Sequence, residues 1–434
     1  MRATVREITV GAYGGKIQDD YPGNGISSAI VWLPLPKKGW SSSMSRRRTC
    51  VLLLVLVEAC ASSVLASSQA VPSQTDSNNP VQNISPPVAL VYVSAATGAS
   101  YEINAYVAHA NGTITAVAGS PFAGNGAYIA GSRGWLFSTD TVDIYSYSIA
   151  ADGALQQMSS INAQQYNQYP TGGPMSLFLD RTGSTLYDED IYWDGANNNY
   201  QAFDLTHGTG TFTYLGATTS DSAAWITPLS FIGNNMDGYG ATCVKGGAYI
   251  YGFSRSSNGT LTDMNITPAI PTAPQGGYCP YLAAADAASD VAVSLTPMED
   301  GFTPIGPAQI GVYTADSDGD LTTDSTSANM PPTAVGTVID MKVSSSGKLL
   351  AIAGSSGLQV FHFNGANPAT RFTGLITNDE VDQMFWDNAN HLYAVSRSAG
   401  KLFVFNVDSK SCVPAEGSPY SISNPQNIAV LPRM

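Results

Sequence analysis

Seven times along this chain an aromatic residue recurs in the same strand setting, and that recurrence limits what the chain can fold into. INAYVAHANGTITAV (103–117) is an apolar strand, an Asn-Gly turn and a second strand. IYSYSIAADGALQQM (144–158) repeats it with Asp-Gly, and AYIYGFSRSSNGTLTDM (248–264) and IGVYTADSDGDLTTD (310–324) are further copies. YQAFDLTHGTGTFTYL (200–215) is a looser one, while LQVFHFNG (358–365) and LFVFNVDSKSCVPAEG (402–417) keep the aromatic strand and lose the Gly turn. Alternation of Tyr or Phe with small or polar residues gives each strand one buried face, and Gly supplies the positive φ of a tight turn. A second strand pair precedes the hairpin, as in SLFLDRTGSTLYDED (176–190), IDMKVSSSGKLLAIAG (339–354) and QMFWDNANHLYAVS (383–396). Each unit therefore has four strands.

The anchors Tyr106, Tyr147, Phe203, Phe253, Tyr313, Phe361 and Phe405 stand about 40 to 60 residues apart, a blade-sized period. The expected fold is all-β: a seven-bladed β-propeller of four-stranded blades. Its closure is legible too. The first unit opens at VALVYVSA (88–95), which matches the second strand of the pattern, so its innermost strand is missing. NPQNIAVL (424–431), an apolar run near the chain end, matches that missing strand and is expected to complete blade 1.

Before residue 88 the character changes. MSRRRTCVLLLVLVEACASSVLASSQA (44–70) joins a basic Arg46-Arg47-Arg48 cluster to an apolar run too short to span a bilayer, the pattern of an export signal. Its position suggests that Met44 is the start and that 1–43 are a mis-called extension. Two cleavage sites compete: a lipobox-like 57–60, which would acylate Cys60 although Glu58 is unusual there, and Val64-Leu65-Ala66 within a 44–66 signal. Residues 67–87 are rich in Ser, Asn and Pro and read as a flexible tether, leaving 88–434 for the propeller. Either cleavage places the protein outside the cytoplasm, as a periplasmic or outer-membrane lipoprotein or a secreted protein. Membrane association is expected only through a lipid anchor.

These hairpins, together with the closings GSPF (119–122) and GSPY (417–420), resemble the seven-bladed lactonase family, which includes bacterial 6-phosphogluconolactonase and the muconate cycloisomerases. The resemblance implies a ring whose chemistry is carried by His, Arg and acidic side chains on one face. None of those aligns residue by residue with a motif here. A net charge of −14 repels phosphate backbones and excludes nucleic acid as a partner. No metal-spaced His pair occurs, the 188–190 acidic run lacks calcium-loop spacing, and no cofactor is expected. His109 and His362 read as packed or exposed structural residues of the outer hairpins, and His207 and His391 as surface residues in turns.

In a four-stranded blade the loops leaving the second and fourth strands share one face. Those loops are expected to carry the site. The expected catalytic set is Glu189 or Asp190 activating water, with Arg397 holding an anionic group. Tyr166, Tyr169, Asp188, Trp193, Tyr278 and Glu299 are the expected ligand contacts, with Tyr192, Trp225, Met298, Asp300, Asp379 and Glu380 on the same loops. Cys243 and Cys279 flank one blade and are expected to pair, leaving Cys412 over. The expected partner is a small lactone or saccharide, taken up by a monomer. The alternative is a non-catalytic scaffold for a glycan, peptide or envelope partner.

Overall fold

In a computed structural model of the chain the residues described are 86–433, apart from 133, 167–173, 191–198, 220–226, 245–246 and 302. Side chains at 174, 175, 190, 199, 219 and 244 are likewise outside the description. The expected export segment and Cys60 lie outside it as well.

Seven antiparallel sheets form the propeller. From the innermost strand outward, blade 2 is Tyr128–Ser132, Trp135–Thr139, Asp143–Ile149 and Leu155–Asn162, and the other blades follow the same order. Blade 1 is completed by the C-terminal strand Pro425–Pro432, which pairs with Pro87–Thr97 from Ala89↔Pro432 to Ala95↔Pro425. Ile428 and Ala429 are at most 1% exposed there, so the closing strand adds to the core as well as to the ladder. All seven anchors fall on the third strand of their blades, and all but the partly buried Tyr106 are at most 1% exposed. Apolar clusters lie between neighbouring blades, so each sheet buries both faces against its neighbours.

The Gly turns do more than reverse the chain. The buried second-strand tyrosines Tyr92, Tyr187 and Tyr239 donate their hydroxyls to the carbonyls of Gly153, Gly259 and Gly319, at 2.9, 2.7 and 2.8 Å. Each of those glycines sits in the outer turn of the following blade. Gly153 has φ +96°, and a Cβ there would come within 2.8 Å of Leu90, so the turn docks only as glycine. Ser146 makes the equivalent bond to Gly210 O at 2.7 Å, and Asn406 Nδ2 donates to Asn111 O at 3.0 Å.

Just before four of the anchors, the backbone N–H of the third strand is taken by a hydroxyl from the outer segment. Ser120, Ser325, Thr373 and Ser418 accept from Ala105, Val312, Val360 and Val404. The two GSP-aromatic closings supply Ser120 and Ser418, and each then sends a short strand, Phe122–Gly124 or Tyr420–Ser421, back onto the third strand.

Around the channel the innermost strands have no backbone ladder on their inner side. Polar side chains cover part of that edge. Asp340 accepts from Met384 N at 2.9 Å, Gln383 from Ile428 N at 2.8 Å, and Asn427 from Ile129 N at 3.0 Å, each reaching into the following blade.

Candidate functional site

Superposing the blades by their anchors exposes one position that breaks the repeat. The anchor pairs with a second-strand residue, and three residues further along that strand come Ser94, Thr139, Glu189, Ala241, Ser294, Ala353 and Val395 in blades 1 to 7. Six of these are small or apolar. Blade 3 alone places a charged residue there.

Glu189 lies in the strand Thr185–Asp190, not in the loop that follows, and is 5% exposed. It pairs with Ser176 of the innermost strand Pro174–Leu179 and with Tyr200 of the third strand Asn199–Thr206. Directly opposed residues share a sheet face, so Ser176, Glu189 and Tyr200 form a row running outward from the channel. That face meets blade 4. Phe178, Tyr187 and Tyr200 pack there with Phe231, Tyr251 and Phe253, an aromatic junction like the one between blades 2 and 3 and unlike the largely aliphatic one between blades 7 and 1. Ring centroids lie 5.2 Å apart for both Phe178–Tyr187 and Tyr200–Phe253.

The half-buried Ser176 donates its hydroxyl to Glu189 Oε2 at 2.7 Å. Burial pushes the Glu189 carboxyl up to about 7, and the Ser176 bond offsets only part of that rise. The tyrosines around it stay neutral. Burial raises Tyr200 well above its ordinary value, Tyr251 to about 12 and Tyr281 as well, and the Glu189 charge adds to all three. Their hydroxyls are ordered: Tyr200 donates to Thr227 O at 2.5 Å, while Tyr251 accepts from Thr227 N at 2.6 Å. Tyr281 arrives from the innermost strand of blade 5, Gly277–Ala285, at a bulge where Leu282 is held at φ +64°. A leucine in the left-handed region costs about 1–3 kcal/mol and is held there only by its surroundings.

A carboxyl that titrates near neutrality beside a hydroxyl can accept a proton, hold it and return it. Glu189 and Ser176 have that arrangement, with the hydroxyl 2.7 Å from the raised carboxyl.

The other expected site residues do not converge on it. Asp188 is buried on the opposite face of the strand, because successive strand residues alternate, and Gln201 N donates to it at 3.3 Å. The acidic run therefore does not make one carboxylate cluster, and among the described residues no group of three acids, His or Cys is arranged to hold a metal. Arg397 follows the second strand of blade 7, three blades away around the ring. Its Nε donates to Gln426 O at 2.7 Å and lies 3.7 Å from Asp382, tying blade 7 to the closing strand. Tyr166 stacks on Tyr214, with centroids 3.9 Å apart, against the outer half of blade 3. Tyr278 is 5% exposed and donates to Gln309, within the core between blades 4 and 5. Glu299 is exposed on the connection after the second strand of blade 5. Tyr169, Tyr192, Trp193, Trp225 and the Asp190 side chain lie outside the described residues. Cys243 and Cys279 form a disulfide joining the second strand of blade 4 to the innermost strand of blade 5, with Cα atoms 5.3 Å apart, and Cys412 is free. His391 is not a surface residue: it is 4% exposed, with Nδ1 2.6 Å from Asp387 Oδ2.

Ser176 is the residue that sequence reading missed. Its signal was the repeat itself, since aligning the blades on their anchors isolates both members of the pair.

Fold and site together define a seven-bladed β-propeller with one internally distinct blade junction. Solved structures share the fold. A periplasmic gluconolactonase from Pseudomonas aeruginosa matches at TM-score 0.58 and 14% identity, covering 79% of this chain and 99% of that one. Putative 6-phosphogluconolactonases from Bacteroides fragilis and Bacteroides uniformis match at TM-scores 0.57 and 0.58 with 14% and 12% identity. They cover 83% and 80% of this chain and 100% and 99% of their own. These are the proteins the repeats resemble, and at this identity the likeness is one of fold. No family model and no curated protein sequence matches the chain.

Proposed function

We propose that the propeller hydrolyses a lactone or sugar-derived ester outside the cytoplasm, with Glu189 as general base. One observation carries this reading: a single acid breaks the seven-fold repeat, is buried between blades 3 and 4, and has its carboxyl raised to about 7. An ordinary carboxylate is too weak a base for this step at neutral pH, whereas a group near 7 is both ionised and basic enough. The lactonase names borne by proteins of the same fold, one of them periplasmic, agree with that chemistry and with the export pattern at 44–66.

The surroundings also favour a neutral substrate. Burial and a serine hydroxyl set the Glu189 carboxyl, the residues around it are aromatic, and Arg397 is engaged on blade 7. A phosphorylated sugar would need a free cation, and the arginines of this junction are engaged at the other end of the strand, Arg255 with Asp180 at 3.1 Å and Arg181 with the carbonyls of Phe231 and Asp286. The same commitment of Arg397 favours, as the second reading, a propeller that binds a neutral glycan without turning it over.

The test is a panel of neutral and phosphorylated sugar lactones offered to the wild type and to Glu189→Gln. Hydrolysis of a neutral lactone that disappears in the variant supports the proposal. Activity retained in Glu189→Gln rules out Glu189 as the base, and no hydrolysis by the wild type leaves the binding reading.

A further inference from the structure

Ser176 occupies a position at which three other blades place a capping side chain and blades 2 and 5 place Tyr128 and Tyr281. Opposite the repeat-breaking position, the innermost strands of blades 6, 7 and 1 carry Asp340, Gln383 and Asn427. Those three turn toward the following blade and cap its backbone N–H groups. Ser176 turns along its own sheet and gives its hydroxyl to Glu189. Glu189 thus breaks the repeat, Ser176 departs from the capping role of three blades, and the two meet at 2.7 Å. Accessibility divides between them. Ser176 is half-buried on the strand nearest the channel, while Glu189 stands behind it at 5% exposure. Of the pair, the hydroxyl is therefore the member on the channel side.

We propose that Ser176 is a covalent nucleophile activated by Glu189, so that hydrolysis proceeds through an acyl-serine. This rests on the reading of Glu189 as a base. In the first half-reaction Ser176 Oγ attacks the lactone carbonyl carbon, and the ionised Glu189 takes the hydroxyl proton. The ring C–O bond then breaks, and the departing alkoxide takes that proton from Glu189. In the second half-reaction water attacks the acyl-serine ester with Glu189 accepting its proton, the acid leaves, and the proton returns to Ser176 Oγ. No oxidant or second substrate is required. Among the described residues the titratable groups facing Glu189 are Tyr200, Tyr251 and Tyr281, which burial keeps neutral through this range, so that Glu189 is the one of them that ionises there.

The experiment is labelling with a fluorophosphonate, which phosphonylates an activated serine and releases fluoride without any need for turnover, followed by peptide mass analysis. The label is expected on Ser176, with a rate that rises with pH through about 7. Glu189→Gln, which keeps a hydrogen-bond acceptor for Ser176, should slow labelling about 100-fold or more. Ser176→Ala should abolish it while melting like the wild type. A label elsewhere, no label at all, or wild-type lactone turnover by Ser176→Ala overturns the proposal. Lactone turnover without labelling leaves Glu189 as a base acting on water, whereas labelling without turnover keeps the nucleophile and removes the lactone reading.

Discussion

Two blade junctions each bury an acid, and they treat it in opposite ways. Where blade 7 meets blade 1, Asp387 is fully buried in the turn between the first two strands of blade 7. Burial pushes its carboxyl up, but donors outweigh that. Ala389 N and His391 N reach Oδ1 at 2.8 Å, while His391 Nδ1 and Tyr393 Oη reach Oδ2 at 2.6 and 2.9 Å, and the group is held below 3.8. Where blade 3 meets blade 4, Glu189 is as well buried but receives one serine hydroxyl, and its carboxyl rises to about 7. The number of donors decides which acid is fixed as an anion and which can exchange a proton near neutrality. The first arrangement locks the turn of blade 7 around a fixed anion; the second leaves a carboxyl that can change its protonation state near neutrality.

The largest effect should come from removing the closing strand. Deleting 424–434 strips away the buried Ile428, Val430 and Leu431 and exposes the ladder edge of Pro87–Thr97. At about 1.5–3 kcal/mol per buried aliphatic side chain, the loss rivals the whole stability of a typical domain. Thermal melting should show no cooperative transition above room temperature. A melt like that of the full chain would mean the ring does not depend on this closure.

Next comes Asp387→Ala, which removes the acceptor of four donors and should cost about 3–5 kcal/mol by denaturant titration. Molecules that remain folded should keep their lactone turnover. A loss of turnover at unchanged stability would place chemistry at the closing junction and undo the contrast.

The two acids should also give opposite pH dependences. For Glu189, raised from 4.5 to about 7, the folded state binds more protons than the unfolded one. Its contribution is full below pH 4.5 and is lost as pH climbs through 7, amounting to about 3 kcal/mol. For Asp387 the contribution is full above 3.8 and lost only as pH falls below that value. Glu189→Gln should therefore match the wild type at pH 4.5 and exceed it in stability at pH 8. Parallel curves for the two proteins would contradict the assigned burial.

The smallest effect concerns the turns that dock neighbouring blades. Tyr187→Phe removes the donor to Gly259 O at 2.7 Å and should cost about 1 kcal/mol, as should Tyr92→Phe and Tyr239→Phe. Equal losses in the three variants would support a shared docking bond, whereas no loss would reduce it to packing.

The ring was legible in the sequence because its determinants are local and repeated. Anchors such as Phe203 and Phe405, and turns such as Asn258-Gly259, need only strand alternation and a positive φ. Closure was legible because VALVYVSA matches the second strand of the pattern and Ile428 to Leu431 matches the missing innermost one. The site was legible only in part. Glu189 stood out as an acid, but Asp188 and Asp190 read as its partners because sequence adjacency hides the alternation that sends Asp188 to the other face. Arg397 was grouped with Glu189 because both were read on exit loops of one face, although ring order separates blades 3 and 7. Tyr278 read as a ligand contact, yet it packs inward because a strand was longer than its loop suggested. Ser176 carries no signal alone. Its meaning comes from what Asp340, Gln383 and Asn427 do at the same register.

The central claim is that Glu189 exchanges a proton near neutrality. Carbon-13 spectra of protein labelled at glutamate carboxyls, with Glu189→Gln to identify the resonance, measure that directly. The account predicts a midpoint at about 7. A midpoint in the ordinary glutamate range, about 4.3, would contradict it and return Glu189 to the ranks of structural acids.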